Sequence, residues 1–245
     1  MGVDAQAALA HFTLTSLCCA PTESPIGEVT VVALSPPIAK PPKPKLRGVS
    51  HLIGMVLALI AGPWLYLSAS VEAGGLGIYA VCLVLLLGIS GIYHTVMWTP
   101  EVRARLRRLD RSMIYVFVAG TYTPILLALG DAVSPVMMPA VWLASLVGIA
   151  LVLFFTGLPR YVTVTPYLVL GWGGAVILPA LLQVEGGAPF WWVLGGGVVY
   201  SMGAIIYARR SPNPAPSVFG YHEIFHLLVL AAAACHYVAI WDLVV

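Results

Sequence analysis

Residues 75–97 have the sequence GLGIYAVCLVLLLGISGIYHTVM, which contains no Asp, Glu, Lys or Arg. An α-helix needs about 20 consecutive apolar residues to cross the hydrocarbon core of a bilayer, so this stretch predicts a transmembrane helix. The whole chain has the same character, since 60% of its 245 residues are hydrophobic and 9% are charged. Soluble domains carry about 25% charged residues. The composition therefore excludes a soluble globular domain and predicts a polytopic helical membrane protein.

Six further apolar segments accompany this one. The seven segments lie at residues 49–70, 75–97, 112–130, 135–157, 161–182, 188–208 and 220–242. We therefore predict an all-α seven-transmembrane helix bundle that occupies residues 48–245. Residues 1–47 are rich in Pro and Lys near their end, a composition typical of a disordered tail.

The basic residues indicate the orientation of the bundle. All twelve fall on one side of the predicted membrane: Lys40, Lys43, Lys45, Arg47, Arg103, Arg105, Arg107, Arg108, Arg111, Arg160, Arg209 and Arg210. Because Lys and Arg concentrate in cytoplasmic loops, we predict a cytoplasmic amino terminus and tail and an external carboxyl terminus. The net charge of +2 is small and follows topology, so we expect lipid and no nucleic acid as partner. The oligomeric state stays open.

The stretch between the second and third segments begins with a helix-start signal, Thr99-Pro100-Glu101. It combines an N-cap residue, proline at the first helical position and an acid in the first turn. The pattern predicts a short basic helix over residues 99–111, lying along the cytoplasmic surface.

Ionisable side chains within spans are costly and usually mark function. Here the polar residues gather at the cytoplasmic ends of three predicted spans: Ser90, His94, Asp110, His222, Glu223 and His226. A spacing of four places Ser90 with His94, and His222 with His226, on one helix face each. Three histidines from two helices would make a metal site with an open fourth position, the arrangement of catalytic zinc. We expect the isolated His51 and His236 to be hydrogen-bonded core residues instead.

These residues resemble a known family. Four stretches carry the resemblance to the hemolysin III and progestin and adipoQ receptor (PAQR) family, in particular its bacterial hemolysin III branch: Ser90-Gly-Ile-Tyr-His94, LDRSMIY at 109–115, AGTYTP at 119–124, and GYHEIFH at 220–226. Their order and spacing agree from about Arg47 to the carboxyl end.

The resemblance implies a zinc ion held by His94, His222 and His226. It implies that Asp110 holds a zinc-bound water and that Ser90 supports the substrate oxygen. It also relates the chain to a wider group of intramembrane hydrolases that includes alkaline ceramidases. The expected function is thus zinc-dependent hydrolysis of an amide or ester bond in a membrane lipid, in the inner (plasma) membrane of a bacterium.

Three alternatives remain at this point. The zinc could be structural, in a receptor-like regulator of membrane lipid homeostasis. His222-Glu223-Ile-Phe-His226 is also an H-E-x-x-H sequence, which in metalloproteases makes the glutamate a general base. A pore-forming hemolysin is disfavoured because a water-filled path needs polar residues along its depth.

The charge distribution leads to a test of topology. A reporter that is active only in the cytoplasm should be active when fused after Arg108 and silent when fused after Val245, because the two positions lie on opposite sides. The reverse pattern would invert the orientation and move the polar residues to the external face.

Overall fold

The computed structural model describes residues 43–70, 74–130, 134–155 and 157–245. Residues 1–42, which make up most of the predicted tail, lie outside the described residues, so the disorder of the tail stays a prediction. The described residues form helices joined by short connections.

Eight α-helices make up this part of the chain. They are α1 (Val49–Ser68), α2 (Gly74–Thr95), α3 (Pro100–Leu129), α4 (Ser134–Phe154), α5 (Arg160–Trp172), α6 (Leu178–Leu182), α7 (Ala188–Arg209) and α8 (Tyr221–Val244). Because α5 and α6 together form one span, the described helices provide seven elements that are long and apolar enough to cross a membrane. The predicted all-α seven-span bundle is confirmed.

The third span differs from the prediction in one respect. The basic stretch 99–111 is no separate surface helix, because α3 runs without interruption from Pro100 to Leu129. Thr99 caps its start by accepting a hydrogen bond from the Val102 amide. No Gly or Pro stands between Pro100 and Gly120 to end the helix, so the basic turns continue directly into the apolar ones.

The fifth span is broken instead. After α5 the chain forms a 3₁₀-helix at Gly173–Ile177 before α6 begins. The Tyr122 hydroxyl of α3 donates a hydrogen bond to the Gly171 carbonyl at 2.7 Å. A side chain of a neighbouring helix thus satisfies a backbone group at the break, which hydrocarbon could not do.

The helices pack mainly on their neighbours in the chain, and α8 closes the bundle by contacting α1, α3 and α7. At one end of α8, the Ser70 amide and hydroxyl both donate to the Val244 carbonyl, at 2.8 and 2.9 Å. Many large apolar side chains, such as Leu67, Phe154 and Trp191, are exposed on the outside, as expected where the solvent is lipid hydrocarbon. The opposite end of the bundle, where α8 begins, carries the polar residues of the predicted site.

The contact between α3 and α4 depends on a glycine. A Cβ atom at Gly148 would lie 2.1 Å from the Tyr115 ring, so Gly148→Ala should cost about 1–3 kcal/mol through overpacking. Thermal unfolding of the detergent-solubilised protein measures this. Gly195→Ala in α7 is the matched control, since no atom lies within 4 Å of its added Cβ. Equal stability of the two variants would contradict the described packing.

Candidate metal centre

Three histidines meet at the end of the bundle where α2 stops and α8 starts. His94 lies in the last turn of α2, and His222 and His226 lie one turn apart at the start of α8. Each offers a ring nitrogen, and these nitrogens all lie within 4.8 Å of one another. The ring centroids form a near-equilateral triangle with sides of 4.6, 5.0 and 4.6 Å. Within the described ranges this is the one such group of His, Cys, Asp or Glu side chains.

The spacing of the triangle suits a tetrahedral metal. The Nε2 atoms of His94 and His222 are 3.2 Å apart. Two imidazole nitrogens bound to zinc at about 2.0–2.1 Å in a tetrahedron are about 3.3–3.4 Å apart. His94 and His226 are buried and His222 is half-buried, so the group is open on one side. The donor set and its spacing therefore fit zinc.

Asp110 and Ser90 lie beside the histidines. The Asp110 Oδ2 atom is 3.8 Å from the His94 Nε2 atom, and the Ser90 side chain lies close to the Asp110 carboxylate. The carboxylate lies beside the three-nitrogen group without belonging to it. The structure thus brings all five predicted site residues together, while their roles stay predictions.

His51 differs from the sequence-based expectation. It is buried, yet neither ring nitrogen has a hydrogen-bond partner among the described residues. Its ring instead stacks on that of His226, with centroids 3.9 Å apart and 15° between the planes. His236 fits the expectation, since its Nε2 contacts the Val193 carbonyl at 3.3 Å. The sequence did contain one indication that His51 belongs near the site: it lies in the first turn of α1, at the same end of the bundle as the other polar side chains.

The stacking has a consequence for His226. Metal-bound histidines usually hold their ring by hydrogen-bonding the second nitrogen to a carboxylate or carbonyl. The His226 Nδ1 atom is buried and has no such partner within the described part of the chain. The flat contact with His51 therefore supplies the restraint on the His226 ring plane.

Glu223 lies between His222 and His226 in the sequence of α8. Its side chain is buried, and each of its carboxylate oxygens already accepts a hydrogen bond. Arg47 Nε donates to Oε1, and the Gly220 amide donates to Oε2 at 2.7 Å. The second bond is half of a capping box, which Glu at the third helical position predicts. A carboxylate held in this way is poorly placed to act as a general base. Sequence analysis missed the Arg47 contact, since Arg47 was interpreted only as a topological charge.

Comparison with known proteins identifies the family. The Haemolysin-III related family matches residues 40–237 of the chain. The chain belongs to this family. A similar protein, named Hemolysin-3, from Bacillus cereus is 30% identical over 195 residues, which cover 77% of this chain and 85% of that protein.

Further relatives of this Haemolysin-III related protein come from other organisms. The Hemolysin-3 homolog of Bacillus subtilis (strain 168) is 29% identical over 194 residues, covering 77% of this chain and 88% of the relative. The human monocyte to macrophage differentiation factor is 30% identical over 170 residues, covering 67% and 68%. The resemblance to the hemolysin III and PAQR family is confirmed.

The geometry of this Haemolysin-III related protein gives a direct test of metal binding. Purified wild-type protein should contain about one zinc per chain and His222→Ala nearly none, because the variant leaves two of three ligands. Elemental analysis of the detergent-purified proteins measures the content. Equal trace amounts in both would disprove the metal site.

Proposed function

We propose that this integral membrane protein is a zinc-dependent hydrolase of an amide or ester bond in a membrane lipid, with His94, His222 and His226 as the ligands. The observation that carries the proposal is the meeting of three imidazoles with a carboxylate 3.8 Å from one of them. Three neutral nitrogens leave a tetrahedral position for substrate or water, as catalytic zinc sites require.

Asp110 is the proposed proton acceptor. A zinc ion held by the three histidines would supply a Lewis acid, which would bring the pKa of a bound water towards about 7. Asp110 would orient a water there and accept its proton, since its carboxylate lies beside the three-histidine group without belonging to it. Glu223 is the less suitable base because both of its oxygens accept hydrogen bonds from Arg47 and Gly220.

Ser90 has a single hydroxyl proton, which limits what it can do at one time. In this proposal Ser90 first donates the proton to the neighbouring Asp110 carboxylate and holds it in place. Support of the substrate oxygen, which the family resemblance implies, requires the hydroxyl to turn away from Asp110. In the proposed hydrolysis, Ser90 would hold Asp110 at one stage and support the substrate oxygen at another.

The position of the site supports a lipid substrate. His94 precedes the last residue of α2, and His222 follows the first residue of α8, so the site lies near headgroup depth, where lipid linkages lie. The same end is positively charged. Lys43 reports this charge: its partial burial lowers its pKa most, and the nearby positive charges of Arg103 and Arg47 lower that pKa further. Such charge attracts the anionic headgroups of a cytoplasmic leaflet.

We further propose that the protein lies in the bacterial inner membrane with the site towards the cytoplasm. Two similar proteins are bacterial. The orientation rests on the distribution of Lys and Arg along the sequence.

A structural zinc is the second candidate. The same distance of 3.8 Å between Asp110 and His94 means that a small side-chain rotation could make Asp110 a fourth ligand, which closes the site. The protein would then be a regulator of membrane lipids without turnover. The described part of the chain gives no comparable support for a pore. Thr121 and Thr123, which are buried polar residues further along α3, both donate their hydroxyl protons to carbonyls of their own helix.

Asp110→Asn separates the two candidates. If Asp110 accepts a proton, the variant should keep its zinc and thermal stability but lose about 10²–10⁴ in hydrolysis rate. Release of fatty acid from a panel of amide- and ester-linked lipids measures the rate, alongside zinc content and melting temperature. Joint loss of zinc and stability would support the structural role.

Glu223→Gln, assayed with zinc in excess, is the matched comparison. It should lose much less activity than Asp110→Asn, whereas a zincin-like protease requires the opposite order. Absence of hydrolysis by zinc-loaded wild-type protein across the whole panel would contradict the hydrolase proposal.

A further inference from the structure

The residues that immediately precede α1 form a short segment, Lys43–Gly48, fixed to the loop before α8. The Lys45 and Leu46 amides donate to the carbonyls of Ser217 and Val218, each at 3.1 Å. The Arg47 amide closes a turn on the Pro44 carbonyl at 3.2 Å. This pre-span segment therefore has a defined position at the histidine end of the bundle.

Arg47 reaches from the pre-span segment to the start of α8. Its Nε donates to Glu223 Oε1, and the two side chains are only 19% and 3% exposed. Glu223 Oε2 accepts from the Gly220 amide at the helix N-terminus. A buried carboxylate without its cation is strongly unfavourable, so removal of Arg47 should disturb the place of Glu223.

Glu223 shares the first turns of α8 with two ligands. It directly follows His222 and lies three residues before His226, one turn away along the helix. Helix ends fray because their first four amides lack internal partners. Since Glu223 holds one of these amides and is itself held by Arg47, the pair restrains the first turn of α8, which carries His222 and leads directly into the turn with His226.

The pre-span segment also contacts the third ligand. Gly48 adopts a φ of +86°, and a Cβ atom built on it would lie 2.6 Å from the Cβ of His94. Glycine is thus required both by the backbone conformation and by the close approach. One segment therefore touches His94 directly and reaches His222 and His226 through Glu223.

We propose that Arg47 is a positioning residue of the histidine site. Through Glu223 it fixes the first turn of α8 and sets the spacing of His222 and His226 against His94. The inference rests on the metal site of the proposed function and does not depend on hydrolysis. Groups that orient metal ligands typically change metal affinity 10–100-fold when removed.

The test is a double-mutant cycle read by metal affinity. Arg47→Met should weaken zinc binding about 10–100-fold in a chelator competition and shift the visible absorption of the Co²⁺-loaded protein, which reports ligand geometry. Arg47→Lys should restore part of the affinity because it keeps the charge. The double variant with Glu223→Gln should bind no more weakly than the worse single variant, since both act through one contact.

Arg107→Met is the matched control. It removes an exposed arginine from the first turns of α3, three residues before Asp110, and should leave zinc affinity and the Co²⁺ spectrum unchanged. Wild-type affinity in Arg47→Met would overturn the proposal. Additive losses in the double variant would equally overturn it, because Arg47 would then act independently of Glu223.

Hydrogen exchange of the metal-free protein separates this inference from the proposed function. Arg47→Met should speed amide exchange in residues 220–226 relative to the rest of α8, because the first turn loses its restraint. Unchanged exchange there would refute the positioning role. Wild-type protein that binds no zinc would refute the metal site, while the exchange result still decides whether Arg47 fixes α8.

Discussion

Hydrocarbon offers no hydrogen-bonding partner, and this constraint governs the rest of the molecule. Backbone groups must be satisfied within each span, which makes the described part of the chain helical. Ionisable side chains are costly at depth, and Asp110, Glu223 and four of the histidines gather at one end of the bundle: His51, His94, His222 and His226. The break in the fifth span obeys the same constraint, because the Tyr122 hydroxyl meets the Gly171 carbonyl there.

The end of the bundle that holds the three-histidine group contains buried ring nitrogens without hydrogen-bond partners among the described residues. His51, with two unpartnered nitrogens, and His226, with one, are both buried, and each unsatisfied buried group costs about 1–3 kcal/mol. The structure therefore keeps these nitrogens buried at a cost in stability, next to the three-histidine group. The flat stack of His51 on His226 gives His51 a contact with the three-histidine group that a hydrogen-bonded core histidine would not make.

Sequence reasoning predicted the spans from local composition, and it predicted the three-histidine group from helical spacing together with the common position of the three residues at one end of the spans. A run of about 20 apolar residues predicts a span, and the four-residue spacing of His222 and His226 fixes a common helix face. The contact between Arg47 and Glu223 joins residues 176 positions apart, which no periodicity encodes. The stacking of His51 likewise depends on how α1 meets α8.

The continuity of α3 was also beyond the pattern, because a helix-start signal and a basic composition do not say where a helix ends. Charged helical turns favour water and apolar turns favour lipid. Both kinds of turn are built from residues with good helix propensity, so a change in polarity does not end the helix. The boundary between water and lipid therefore falls inside one helix, close to Asp110.

The unbroken α3 has a mechanical consequence. Its 30 residues span about 45 Å at 1.5 Å per residue, well beyond the roughly 30 Å of the hydrocarbon core. The turns from Pro100 to Asp110 form a rigid arm about 15 Å long, with arginines along it and the site carboxylate at its inner end. No hinge lies between the arginines of this arm and Asp110, so a displacement of the arm would move the carboxylate with it.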